Sequence, residues 1–373
     1  MIVGVVGGGQ LARMMIPAAV ALGVELRVLA ESEGMSASLA ATAVGDYRDP
    51  SVVLAFAAGV DVITFDHEHV PQAVLRALVE AGVAVHPGPD ALRFAQDKRQ
   101  MRAKMAELGA PQPDWAPVDA GEDLARFLAD HGGVAVVKTA TGGYDGKGVR
   151  VVRSVDEAED WLQGAAAGGP RLLVEELVPF RRELAQLIAR RPSGEAVVWP
   201  LVQTVQQDGI CVEVLAPAPQ AVRIQPVVDD VARMVAAGVG VTGVLAIEMF
   251  ETSDGRVLVN ELAMRPHNSG HWTIDGSITS QFEQHLRAVL DLPLGSTALL
   301  APASVMVNVI GGPASGAMTD RYATALAAHP DVKMHSYAKS ARPGRKVGHV
   351  TAVGSDIDEV AYRARAAAAC FDA

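Results

Sequence analysis

The stretch VAVVKTATGGYDGKGVRVV (Val134–Val152) decides the reading of this chain. Its first half is rich in β-branched residues and carries Lys138; its last four residues, Val149–Val152, return to strand character. Between them, Gly142–Gly148 holds four glycines in seven residues. Glycines let backbone amides approach a phosphate closely and adopt positive φ. Lys147 adds a charge that a solvated turn does not need. A phosphate loop of the G-x-x-x-x-G-K-[ST] type opens a helix, whereas here a strand follows. The pattern predicts a glycine flap between two antiparallel strands, closing over a nucleotide. The alternative is a glycine-rich hairpin with no ligand.

Upstream of the flap, MIVGVVGGGQLARMM reads as a buried strand, a glycine turn and a helix start. Further strands are expected in Val24–Glu31, at the end of Val60–Val70 and in Ala81–Pro89, with alanine-rich helices between them. Such alternation means a parallel sheet covered on both faces, with ligands at the carboxyl ends of its strands. Gly7, Gly9, Gln10, Asp66, Glu68 and Pro87 fall at such ends. Gly7–Ala12 matches G-x-G-x-x-A, and Glu31 stands where a ribose-binding acid would fall. Three readings stay open there: NAD binding, a phosphorylated substrate at the helix N-terminus, or tight strand–helix packing. In TFDHEHV, neighbouring side chains of an extended segment alternate faces, so four metal ligands do not converge. Glu68 reads as an acceptor for a substrate hydroxyl, and His67 and His69 read as solvent-exposed.

Downstream, Asp97–Gly109 has a helical pattern with Lys98 at its start, within reach of a phosphate or simply on the surface. Arg171–Val178 is strand-like and ends in paired acids, and Glu183 lies on the next strand. Val241–Phe250 places Glu248 at the end of an apolar strand; Ser253–Gly255 makes a turn, and the partner strand carries Asn260 and Glu261. The hairpin lets Glu248 and Glu261 face each other. Facing carboxylates repel unless a cation lies between them, and Mg²⁺ takes one or two carboxylates plus phosphate oxygens. Arg265, His267, Asn268, Ser269 and His271 then crowd into a binding loop. Zinc at His267 and His271 lacks a third ligand of suitable spacing.

An otherwise acidic chain, net charge -11 over 373 residues, holds one basic segment, Tyr337–Val350. There Lys339, Arg342, Arg345, Lys346 and His349 gather around Pro343-Gly344, either a solvated hairpin or an anion clamp for a phosphorylated small molecule. The overall charge excludes general affinity for nucleic acid or an anionic membrane. Half of the residues are apolar, with two cysteines and no apolar run of about 18 residues. That predicts a soluble, cytoplasmic chain of two or three domains without disulfides or a signal segment.

Taken together, GGGQLARM, TFDHEHV, QDK, GGYDGKG, VEELV, GVLAIEMF, NELAMRPHNSGHWT and RPGRKVGH resemble the ATP-grasp superfamily. Within it they are most similar to the N5-carboxyaminoimidazole ribonucleotide synthetase family, ATP-dependent carbon–nitrogen ligases of purine biosynthesis. The resemblance implies an ATP-grasp fold of mixed α/β and α+β class. Its parts would be a Rossmann-like parallel-sheet domain (1–95), an ATP-grasp domain (96–295, flap subdomain about 112–170) and a small β-rich C-terminal domain (296–373). It implies ATP and Mg²⁺, bicarbonate and aminoimidazole ribonucleotide as substrates, a homodimer, and a product passed to a mutase.

By the same resemblance Lys98 and Lys138 hold the ATP phosphates under Gly143, Tyr144, Asp145, Gly146, Lys147 and Gly148. Glu175, Glu176, Leu177 and Val178 form the adenine hinge, Glu183 binds the ribose, and Gln206 lies beside the nucleotide. Glu248 and Glu261 bind magnesium, with Asn260 beside them. Gln10, Leu11, Glu68, Tyr144, Asp145, Lys147, Lys339, Arg342, Arg345 and Lys346 surround the ribonucleotide. Arg265, His267, Asn268 and Ser269 face the bicarbonate-derived group, and Asp145 and Lys147 join Arg265, His267 and Asn268 as catalytic residues. Three positions depart from the family: TFDHEHV stands for a motif nearer TFEFENV, Gln206 for a histidine, and Ala338 for a glycine. The rival readings are a formate-dependent glycinamide ribonucleotide transformylase or another ATP-grasp ligase, an NAD-dependent oxidoreductase, and a non-catalytic nucleotide sensor.

Overall fold

The computed structural model describes residues 1–143, 147–313 and 316–372. Tyr144, Asp145 and Gly146 of the flap lie outside the described residues. Three sheets organise the rest. The first is parallel, in the order Ala41–Val44, Glu25–Ala30, Ile2–Val6, Val62–Phe65. Its central strands are buried on both faces, as the unbroken apolar run of Ile2–Val6 requires. The helix Gln10–Leu22 follows directly, and its first turn approaches the neighbouring strand end very closely. A Cβ on Gly9 would fall 2.0 Å from Asp66 Oδ2, so only glycine fits beneath that carboxylate.

One expected strand of this sheet is absent. Ala81–Pro89 contributes only an isolated bridge, Val85 beside Ile63. Pro87 and Pro89 have no N–H to continue a ladder, and the chain turns into the helix Pro89–Gln96 instead. The opposite edge, beside Glu25–Ala30, is Ala41–Val44, a short half-exposed strand whose alanine-rich sequence carries little strand signal.

The second sheet is antiparallel, in the order Trp115–Val118, Leu172–Glu176, Ala135–Thr139, Val149–Val152. Lys138 pairs with Val149, so the glycine segment joins adjacent antiparallel strands as the sequence indicates. Phe127, Leu128, Val137, Val152 and Val174 close a small core beneath it.

The third sheet is the frame of the molecule. Its order is Val257–Ala263, Gly243–Thr252, Phe180–Arg190, Val202–Gln207, Ile210–Ala216, Ala303–Ile310, Lys346–Gly354, Lys333–Ser336, with Ala196–Val198 pairing off the path. The last strands add to the same hydrogen-bonded surface through Glu213–Ala216 against Ser304–Val307. Helix Ile357–Ala369 covers this end, burying Ala361 and Ala364 against Val305 and Val350. Among the described residues no helix is long and apolar enough to cross a membrane.

Candidate active site

One cavity of about 1590 Å³ opens between the parallel sheet, the small antiparallel sheet, the acidic hairpin and the segment Lys339–Lys346. Most of the singled-out residues meet there. The helix Lys98–Leu108 starts behind Asp97, whose carboxylate accepts from the Arg99 and Gln100 amides. That start aims Lys98 at the hairpin, where its ammonium pairs with Glu261. Lys138 comes from the small sheet: its Nζ lies 2.8 Å from Glu175 Oε2 and donates to Asn260 Oδ1 at 3.1 Å. Burial lowers the Lys138 pKa, against the opposing pull of Glu175. Burial alone would raise Glu175, but Lys138 and Arg102 outweigh it and hold its carboxyl at about 2. The Glu175 carboxylate is thus engaged below the cavity wall; Glu176, Leu177 and Val178 continue along the rim.

Glu248 and Glu261 are directly paired across the hairpin. Burial, then the charges of Glu261 and Glu183, push the Glu248 carboxyl up to about 7. Burial also raises Glu183. Three acids crowded on one wall call for a cation. Among the described residues no three histidine, cysteine or acidic ligands converge on one point. A cation here would therefore rest on two carboxylates and on substrate oxygens, a donor set that suits Mg²⁺ and not zinc. Gln206 also lines this side.

Across the cavity, Arg265 Nε donates to Glu68 Oε2 at 2.6 Å. Glu68 Oε1 is buried and has no hydrogen-bond partner among the described residues. Both amide atoms of buried Asn268 are in the same condition. Orphaned polar atoms facing a cavity are groups that a ligand can satisfy. His267 Nε2 sits 3.4 Å from Glu248 Oε1 and its Nδ1 is 2.8 Å from Ser269 Oγ. Burial, with Arg265 and Lys346 nearby, drives the His267 pKa well below the ordinary value. This imidazole is neutral and stands between the acid pair and Arg265. Lys339 donates to Gln10 Oε1 at 2.7 Å, and Leu11, Arg342, Arg345 and Lys346 complete the basic wall. Gly143 and Lys147 line the flap side, while Gly148 packs on Thr139 beneath it.

Two readings of histidines are corrected. His67 is not solvent-exposed: its ring is 3.2 Å from Glu31 and packs edge-on to Tyr47. His349 adds no positive charge to the basic segment. It is fully buried, hydrogen-bonds to the Tyr337 hydroxyl at 2.8 Å, and burial pushes its pKa well below the ordinary value. The same contacts weaken the NAD reading. Glu31, which should reach a ribose, instead accepts from the Gly8 amide at 3.0 Å and from His67.

Sequence reasoning missed Arg102, Phe180 and Phe250. Arg102 is fully buried beneath the wall that carries Lys138. Phe180 and Phe250 stack at 4.7 Å beside Glu183 and form an apolar slot at the rim. Arg102 sits in the middle of a helix whose sequence signals lie at its two ends. The two aromatics are about seventy residues apart and meet only through strand pairing, so nothing local signals them.

The comparisons agree with this geometry. Residues 103–282 match the ATP-grasp domain family, 1–96 the ribonucleotide synthetase preATP-grasp domain, and 304–363 the phosphoribosylaminoimidazole carboxylase C-terminal domain. The chain is 50% identical over 372 residues to the N5-carboxyaminoimidazole ribonucleotide synthase of Mycobacterium tuberculosis, covering 98% of this chain and 87% of that protein. It is 44% identical to the Corynebacterium ammoniagenes enzyme of the same name, covering 98% and 91%. The solved N5-carboxyaminoimidazole ribonucleotide synthetase of Thermus thermophilus superposes with a TM-score of 0.88 at 38% identity, covering 100% and 98%. The Aspergillus clavatus synthase, solved with ADP and 5-aminoimidazole ribonucleotide, gives 0.89 at 31% identity, covering 99% and 98%. A flap hairpin, a lysine-lined wall and a facing acid pair on this frame, with relatives that share nearly the whole chain, lead to one conclusion: the chain belongs to the N5-carboxyaminoimidazole ribonucleotide synthase family of ATP-grasp ligases.

Proposed function

We propose that this protein joins bicarbonate to the exocyclic amine of 5-aminoimidazole ribonucleotide at the expense of ATP, giving N5-carboxyaminoimidazole ribonucleotide for purine synthesis. The observation that carries this is that one cavity holds both a lysine-and-acid end suited to a nucleoside triphosphate and a basic end suited to a second phosphate. Lys98 and Lys138 hold the triphosphate, and the Phe180–Phe250 slot with Glu176–Val178 receives the base. Glu248 and Glu261 hold Mg²⁺, which when bound offsets charge on the phosphoryl oxygens. The two lysines do the same from the protein side. Gln10, Lys339, Arg342, Arg345 and Lys346 clamp the ribonucleotide phosphate, and the unpartnered Glu68 Oε1 accepts a ribose hydroxyl.

Bicarbonate attacks the γ-phosphate to give carboxyphosphate and ADP; the carbon–oxygen bond of carboxyphosphate breaks to release CO₂ and inorganic phosphate inside the closed site, and the amine captures the CO₂ with loss of one proton. Arg265 and neutral His267, with Asn268 and Ser269, orient the bicarbonate-derived group. The flap, Tyr144, Asp145 and Lys147 included, excludes water from an intermediate that hydrolyses readily. We further propose three working units, 1–95, 96–295 with its flap subdomain, and 296–373, a homodimer, a cytoplasmic location and delivery of product to a mutase. The extents of the three family matches support the division.

The test is a substrate panel. ADP formation at full rate should require both bicarbonate and aminoimidazole ribonucleotide. Equal ADP formation without the ribonucleotide, or replacement of bicarbonate by formate with glycinamide ribonucleotide, would overturn the assignment.

A further inference from the structure

Beneath the phosphate wall lies a closed ring of contacts. Arg102 Nε donates to Glu175 Oε1 at 2.8 Å, and its two terminal nitrogens donate to the Val259 and Asn260 carbonyls at 2.7 and 3.0 Å. Glu175 Oε2 takes Lys138 at 2.8 Å, and Lys138 closes the ring on the Asn260 side chain at 3.1 Å. Arg102 is wholly buried and Glu175 nearly so. Here one carboxylate is shared by two cations, so the cluster carries one surplus positive charge. Arg102 is locked behind the wall by two carbonyls, while Lys138 lines the cavity. We propose that Arg102 is a positioning residue for the nucleotide: by occupying half of Glu175, it leaves the Lys138 ammonium its positive charge toward the phosphates. Without Arg102, Glu175 would pair with Lys138 alone, and the cluster would present no net charge. The planar guanidinium also anchors the hairpin through the Val259 and Asn260 carbonyls, a contribution to stability rather than to the charge facing the phosphates.

The inference rests on the reading of this end of the cavity as the triphosphate site. The experiment is a double-mutant cycle read by calorimetric titration with ADP in the presence of magnesium, with thermal unfolding as a folding check. Arg102→Met should weaken ADP binding by about tenfold, since one partner of a buried pair is lost. Glu175→Gln should weaken it about as much, because two buried cations then face each other uncompensated and Lys138 sheds its proton. The double variant again has one cation beside a neutral amide, and should bind within about threefold of the parent protein. A merely structural Arg102 gives losses that add, and additive losses overturn the proposal. Should Arg102→Met fail to fold, Arg102→Lys decides. It keeps the charge beside Glu175 but cannot hold both carbonyls, so ADP binding should persist while the melting temperature falls. A tenfold loss of ADP binding in that variant overturns the proposal. Absence of ADP binding by the parent protein overturns both the inference and the triphosphate reading; parent binding without coupling overturns the inference alone.

Discussion

Arg265 and Glu68, 197 positions apart in the chain, are joined by an Nε–Oε2 contact of 2.6 Å. It ties the loop after the acidic hairpin to the carboxyl end of the strand Val62–Phe65, so the ATP-grasp region and the parallel sheet share one side of the cavity. Both side chains are largely buried, at 23% and 14% exposure. Glu68→Gln should therefore destabilise the protein by about 2 kcal/mol, since it leaves a guanidinium poorly paired. It should also raise KM for aminoimidazole ribonucleotide by about tenfold, because the free oxygen Glu68 Oε1 is the proposed hydroxyl acceptor. Denaturant titration and steady-state kinetics check the two effects. An unchanged KM removes the substrate role.

Glu261→Ala should abolish turnover, by about a thousandfold or more, and leave the fold intact. Glu261 is half-exposed and its loss relieves repulsion on Glu248, while Lys98 gives up one ion pair at the cavity wall. The circular dichroism spectrum should not change. Turnover near the parent value would remove the magnesium assignment.

Gly148 stands at the base of the flap with φ of +75°, and a Cβ there would come 2.5 Å from Thr139 Oγ1. Gly148→Ala should cost about 1–2 kcal/mol and tilt the flap strands. KM for ATP should rise more than KM for the ribonucleotide. Parallel increases in both would place the effect outside the flap.

Glu31 supplies a pH dependence with a definite sign. Burial would raise its carboxyl, but hydrogen bonds from His67 and the Gly8 amide outweigh burial and hold it at about 2, below the ordinary 4.5. A depressed folded-state pKa contributes stability above pH 4.5 that is lost as pH falls through about 2. Glu31→Gln should be less stable than the parent by about 1.5 kcal/mol at neutral pH. The gap should close across that acid window. A gap that stays constant with pH would mean that the carboxylate charge is not what His67 and Gly8 hold.

Much of this architecture is legible in the sequence because its decisive signals are local. The glycine segment between strand runs, the Ser253–Gly255 turn that sets Glu248 against Glu261, and the helical pattern from Asp97 with Lys98 at its start all lie within short windows. What escapes notice is made by distant pairing. Arg102 reads as one more charge on an amphipathic helix until Glu175, 73 positions on, folds beneath it. His349 looks cationic beside its basic neighbours because charge is counted along the chain, whereas its ionisation is set by burial against Tyr337 and His335. The Ala81–Pro89 strand fails for a local reason that outranks apolar content: prolines at two nearby positions cannot donate to a ladder.

Glu248 and Lys346 stand on strands of one uninterrupted sheet, four strands intervening. The sheet nevertheless folds the proposed metal end and the proposed anion clamp toward each other, since the charge of Lys346 is felt at both Glu248 and His267. A bisubstrate inhibitor bridging the two would therefore need only a short tether. Adaptability in such a compound would serve at the proposed adenine end, where the smaller sheet lines the cavity through Glu175 and Glu176.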